Sequence, residues 1–91
     1  MNKAQQNSLQ TKIMAIPGMD LGHDASYQLD ESPARDLHRT HFRFTSDRGV
    51  VDNANGDALV KFMREQGVFV EQRFRKLVVI ETSALLSTFK V

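Results

Sequence analysis

Apolar positions in the second half of the chain follow first a helical and then a strand pattern. Ala58, Leu59, Phe62 and Met63 form one stripe, which predicts a helix over Asn53–Gln66. Gly67 follows directly, at the position where helices often end in a left-handed residue. Two short β-branched runs come next, Val68–Val70 and Leu77–Ile80. The second run is apolar on both faces and predicts a central strand that is buried on both sides.

The first half carries the same two signals less strongly. Leu9, Ile13 and Ile16 share one helical face, which predicts a helix over about Lys3–Ile16 that ends at Pro17-Gly18. Residues 18–36 form an irregular segment, for which we favour disorder or a plain surface loop over a binding loop. Within it, Tyr27–Leu29 fits a short strand and Ser32–Asp36 fits one helical turn. The first eight residues or so are expected to fray.

Strict alternation then marks a strand over Leu37–Thr45. Thr40, Phe42 and Phe44 fall on one face, and the other face carries Arg39, His41 and Arg43. The tail Ser83–Val91 fits a short helix, which we prefer, and also an alternating strand. The prediction is a single α+β domain over 1–91, with a small, mostly antiparallel sheet packed by two helices in the order α-(β)-β-α-β-β-(α).

Composition narrows the classes of function. Of the 91 residues, 41% are hydrophobic and 25% are charged, and the net charge is +1. These proportions are typical of a globular domain and give no strong bias toward nucleic acid. There is no cysteine, which excludes disulfides and thiolate chemistry. No apolar run approaches the length of a membrane span, and no targeting segment is visible, so we expect a cytoplasmic protein without membrane contact.

Catalytic and metal-binding motifs are not evident. The three histidines, His23, His38 and His41, show no recognised ligand spacing, and there is no nucleophile elbow or phosphate-binding loop. We therefore expect no enzyme, no cofactor and no metal site.

The expected function is non-enzymatic binding of another macromolecule, in the manner of small phage- or plasmid-type accessory regulators. The expected contacts to a partner protein lie in two places. One is the outward face of the strand, with Arg39, His41 and Arg43. The other is the basic turn that joins the two β-branched runs into a hairpin, with Arg73, Phe74, Arg75 and Lys76. The apolar content exceeds what two helices cover, so we expect a homodimer or partner interface at Phe69, Val79, Leu85 and Phe89.

Nucleic-acid binding is the alternative function. Helix Asn53–Gln66 followed by a hairpin with a basic turn is similar to the last helix and wing of a winged-helix domain. In this interpretation Lys61 and Arg64 face DNA. The helix also carries Asp57 and Glu65, which repel phosphate, and no helix is predicted immediately before it.

Overall fold

Four strands and three helices make up the described part of the chain. The computed structural model describes residues 1–19, 25–30, 38–46, 54–73 and 77–91. The elements in chain order are α1 (Lys3–Met14), β1 (Ala25–Asp30), β2 (Arg39–Ser46), α2 (Ala54–Glu65), β3 (Glu71–Arg73), β4 (Leu77–Glu81) and α3 (Thr82–Phe89). The predicted α+β class and element order are confirmed. The predicted turn at Ser32–Asp36 lies outside the described residues.

The strands form one antiparallel sheet in the order β1-β2-β4-β3. Strand β4 is central, as its apolar run predicts, and Val78, Val79 and Ile80 are all buried. The predicted alternation in β2 is also confirmed, because Thr40, Phe42 and Phe44 are buried while Arg39 and Arg43 are exposed.

All three helices contribute to one hydrophobic core on one face of the sheet. Leu9, Ile13 and Ile16 from α1 join a single cluster with Phe42 and Phe44 of β2 and with residues of α2, β4 and α3. Val79, whose side chain points to the opposite face, is not part of this cluster. Two helices were predicted to pack on the sheet, and the described part of the chain has three. Helix α1 packs on the same face of the sheet as the other helices.

Helix α1 is regular from Lys3 onward, within the first eight residues where we expected fraying. Its start is fixed by a reciprocal capping box. The Asn2 side chain accepts a hydrogen bond from the Gln5 backbone at 2.8 Å, and the Gln5 side chain accepts one from the Asn2 backbone at 3.0 Å. In the last turn of α1, Lys12 Nζ donates to the carbonyl of Phe89 at 2.6 Å and so ties α1 to the last turn of α3.

Helix α2 ends in the left-handed residue predicted at Gly67, whose φ is +77°. The Gly67 amide donates to Arg64 and the Val68 amide donates to Met63, both at 3.0 Å, which is the Schellman arrangement. Because the Val68 amide completes this cap, the chain pairs with β4 only from Glu71 onward. The predicted strand at Val68–Val70 is thus wrong in its placement by three residues.

Helix α3 follows β4 without a connecting residue, in agreement with the helix preferred for the tail. The Thr82 amide donates to the carbonyl of His38 at 2.7 Å, and the hydroxyls of Thr40 and Thr82 lie 2.7 Å apart. These bonds fix the start of α3 to β2. The helix then turns Leu85 and Phe89 into the core, where the Phe89 ring stacks on Phe62 with centroids 5.6 Å apart.

None of the three helices has both the length and the apolar character that a membrane span requires, over the residues that the structure describes.

Candidate partner-binding surface

The face of the sheet opposite the helices carries most of the predicted partner-binding residues that the structure describes. We call Arg39, His41, Arg43 and Arg73 the basic sheet face. Strand alternation directs these side chains away from the core, together with Glu71, Leu77, Val79 and Glu81. Among the described residues no helix packs on this side. Phe74, Arg75 and Lys76, also predicted to bind a partner, lie outside the described residues.

The register arranges these side chains in rows across three strands. Arg43 and Arg73 both pair with Leu77, from opposite sides of β4. Since neighbouring strands lie about 4.8 Å apart, the two arginine backbones are separated by roughly 10 Å. This spacing allows two separate contacts to one partner surface. In the next row, His41 and Glu71 flank Val79 in the same way.

Glu71 connects arginines from two different strands. Arg73 donates to both Glu71 oxygens, from Nε at 2.8 Å and from Nη2 at 3.2 Å. Arg39 Nη1 lies 3.8 Å from Glu71 Oε2, so this ion pair extends over the central strand. All three side chains keep about two fifths of their surface or more in solvent. The contribution of such exposed pairs to stability is small because water and salt screen them.

The arginines also hold Glu71 in its charged form. The pKa of the Glu71 carboxyl is lowered, first by the hydrogen bond from Arg73. Desolvation is the next largest effect and opposes this shift, while the charges of Arg73, Arg39 and His41 lower the pKa further. Glu71 therefore stays ionised to a lower pH than an ordinary glutamate. Sequence reasoning missed this residue because the strand was placed at Val68–Val70. With the strand at Glu71–Arg73, the two-residue spacing would have put Glu71 and Arg73 on one face.

Arg43 and His41 are the members of the basic sheet face with unused hydrogen-bonding capacity. Arg43 is exposed and makes no ion pair with any residue in the described part of the chain. His41 is partly buried, and its Nδ1 atom is enclosed without a hydrogen-bond partner. Buried polar atoms that lack a partner are uncommon in folded proteins. Arg43, which is exposed, can therefore accept a new contact without breaking an existing ion pair to the described residues.

The predicted apolar interface is wrong at three of its four residues. Val79, Leu85 and Phe89 are at most 8% exposed. Leu85 and Phe89 lie four residues apart on α3 and face the core that α1 helps to close, while Val79 lies in the middle of the sheet. Only Phe69 stands out from the surface, at 84% exposure, in the connection between α2 and β3. Three helices cover the apolar surface that two would have left open.

The alternative DNA surface centres on α2, on the helical side of the molecule. Lys61 and Arg64 are exposed there, as predicted. They border an open groove of about 510 Å³ between α2 and β3, together with Asp57, Val60, Glu65 and Gln72. Gln72 Nε2 donates to Asp57 Oδ1 across this groove at 3.2 Å. Two acids and two bases line the groove, so its charge is mixed.

Metal binding has no assembled site in the described residues, since no group of three histidine, aspartate or glutamate side chains comes together there. His23, the third histidine of the chain, lies outside the described residues.

Comparison with known proteins gives no relative: no family model, no curated protein and no solved structure matches the chain.

Proposed function

We propose that this chain is a non-enzymatic binding protein that uses the basic sheet face to hold an acidic surface of a partner protein. The observation that carries the proposal is Arg43, which is exposed and makes no ion pair with the described residues, on a sheet face that no described helix covers. Arginine is enriched at protein interfaces, because its planar guanidinium forms paired hydrogen bonds with carboxylates.

A protein partner fits this face better than nucleic acid does. Glu71 and Glu81 lie on the same side of the sheet as the arginines, and both would repel a phosphate backbone. A protein surface of mixed charge can instead match this pattern, with carboxylates opposite Arg43 and Arg73 and a base opposite Glu81. Such complementarity contributes more to specificity and association rate than to affinity.

The Arg39–Glu71–Arg73 group gives the surface a fixed geometry before a partner arrives. Two hydrogen bonds from Arg73 and the ion pair from Arg39 restrict long side chains that otherwise lose rotamer freedom on binding. Side chains already ordered in the free protein reduce the entropic cost of association. In this proposal Glu71 positions the arginines, while Arg43 makes the new contact.

Affinity capture with charge-reversed variants tests the proposal. The tagged protein and the variants Arg43→Glu and Lys61→Glu are used to capture partners from a lysate of the source cells, and the captured proteins are compared by quantitative mass spectrometry. Both substitutions reverse one exposed charge, but Lys61 lies on α2, away from the sheet face. We expect a partner that Arg43→Glu loses and Lys61→Glu retains.

The reverse pattern would contradict the proposal. Loss with Lys61→Glu alone would move the interface to the α2 groove. If that variant also eluted from a duplex DNA column at lower salt than the wild type, the winged-helix alternative would be favoured, since phosphate contacts weaken steeply with salt.

A further inference from the structure

The two edges of the sheet differ in how well they are protected against pairing with another strand. Strand β3, at one edge, has three residues, and two of them are charged, Glu71 and Arg73. Short length and charge are common means of preventing edge-to-edge association. Strand β1, at the other edge, has six residues, Ala25–Asp30, and its only charged residue is Asp30 at its end.

The backbone of β1 is also regular. All six of its residues pair one to one with β2, from Ala25 with Ser46 to Asp30 with His41, so no bulge bends the strand away from a neighbour. It contains no proline and no lysine. Among the described strands, β2 is its only neighbour in the sheet. The outer backbone groups of β1 are thus a template for one more strand.

We propose that β1 pairs with β1 of a second copy of this chain, antiparallel and about a two-fold axis, to give a continuous eight-stranded sheet. The charge distribution suits this arrangement. An antiparallel pair places the two Asp30 residues at opposite ends of the interface, whereas a parallel pair would set them side by side. Closed two-fold dimers are also the commonest form of self-association.

The symmetry of such a dimer has a consequence for the rest of the surface. A two-fold axis that relates antiparallel edge strands runs perpendicular to the sheet, so each face of one copy continues into the same face of the other. The helices of both copies then lie on one side, and both basic sheet faces lie on the other. The proposed dimer depends only on β1, so it can be tested independently of the proposed partner binding.

Single cysteines provide a direct test, because the chain has none of its own. Each residue of β1 is replaced in turn by cysteine, the full-length variants are oxidised, and disulfide dimers are measured on non-reducing gels. About a two-fold axis only the residue nearest the axis meets its own copy, and each further position adds roughly 7 Å to the separation. A disulfide needs a Cα separation of at most about 7 Å. We therefore expect one efficient position, or two adjacent ones, within Ala25–Asp30.

Two control variants measure other surfaces. Arg73→Cys reports on the opposite edge, and Ser83→Cys reports on random collisions at an exposed site. Light scattering of the unmodified protein is expected to give twice the 10.3 kDa chain mass at micromolar concentration. Gln28→Lys adds two like charges near the axis and is expected to weaken the dimer roughly fivefold or more, while Ser83→Lys leaves it unchanged.

Three results would overturn the inference. One is a mass near 10.3 kDa at every concentration. Another is a dimer that cross-links best through Arg73→Cys. The third is cross-linking along β1 that is uniform and no stronger than at Ser83→Cys. Circular dichroism of each variant verifies that it is folded, and the mass of the unmodified chain needs no variant at all.

Discussion

Arg39 and Glu71 lie on strands that are not neighbours, and their side chains nevertheless meet at 3.8 Å over the central strand β4. The contact brings β2 and β3 together on the side of the sheet opposite the core. Arg73 completes the group from β3. Because all three side chains are substantially exposed, the group contributes little to stability. In the proposed function it presents charge to a partner.

The ionisation of Glu71 can be measured directly. Its pKa is lowered mainly by the hydrogen bond from Arg73, so the carboxyl resonance in an NMR titration is expected to change at lower pH than for an ordinary glutamate. In Arg73→Ala the transition is expected to move to higher pH. A Glu71 transition that Arg73→Ala leaves unchanged would contradict the observed geometry.

The same shift predicts how stability depends on pH. The folded-state pKa of Glu71 is below its unfolded value, so its contribution is present above the unfolded pKa and is lost as pH falls through the folded pKa. The difference in unfolding free energy between the wild type and Glu71→Gln is therefore expected to shrink on acidification. Urea denaturation at several pH values measures this difference, and a gap that widens with falling pH would have the wrong sign.

The hydroxyls of Thr40 and Thr82 join the buried face of β2 to the start of α3. They lie 2.7 Å apart, and Thr40 is fully buried. Thr82→Val leaves the Thr40 hydroxyl without this partner and is expected to cost roughly 1–3 kcal/mol. The double variant with Thr40→Val is expected to cost less than the sum of the two single variants, because it removes both polar groups. Chemical denaturation of the four proteins gives the coupling, and strict additivity would show that the bond contributes nothing.

Gly67 and Lys90 make a matched pair of left-handed residues. Gly67, at φ +77°, ends α2, and Lys90, at φ +55°, ends α3. A Cβ at Gly67 would meet no atom within 4 Å, so Gly67→Ala is expected to cost about 1 kcal/mol through backbone strain alone. Lys90→Gly is expected to raise stability by a few tenths to 1 kcal/mol. Thermal unfolding measures both, and equal signs for the two changes would contradict these backbone angles.

The apolar residues of the tail and of the α2–β3 connection are expected to respond in opposite ways. Leu85 is fully buried, and Leu85→Ala is expected to lower stability by about 2–5 kcal/mol. Phe69 is 84% exposed, and Phe69→Ala is expected to change stability by less than about 0.5 kcal/mol. A large loss for Phe69→Ala would show that its side chain is enclosed in solution, for example in a dimer other than the one through β1.

Local patterns in the sequence were sufficient for the element order. Alternation identified β2, four consecutive apolar residues identified β4 as central, and Gly67 marked the end of α2. The placement of β3 failed because the amide of Val68 serves the helix cap, although Val68 and Val70 are β-branched and favour a strand. Propensity alone does not tell which role a backbone amide takes.

Tertiary relationships were harder to predict than local elements. The stripe of Leu9, Ile13 and Ile16 predicts a helix but does not indicate on which side of the sheet that helix packs. Because α1 packs on the same side of the sheet as α3, it helps to cover Leu85 and Phe89, which were predicted to lie at the surface. The outward direction of Arg39, His41 and Arg43 depended only on strand alternation, and that part of the candidate site could be predicted.

Arginine footprinting of the protein with its captured partner tests the central claim most directly. A phenylglyoxal-type reagent modifies exposed arginines, and mass spectrometry compares each site in the free protein and in the complex. Arg43 lies on the basic sheet face, and the exposed Arg64 on α2 serves as an internal control for the same chemistry. The account predicts strong protection of Arg43 and unchanged modification of Arg64. Protection of Arg64 with Arg43 still fully reactive would contradict it.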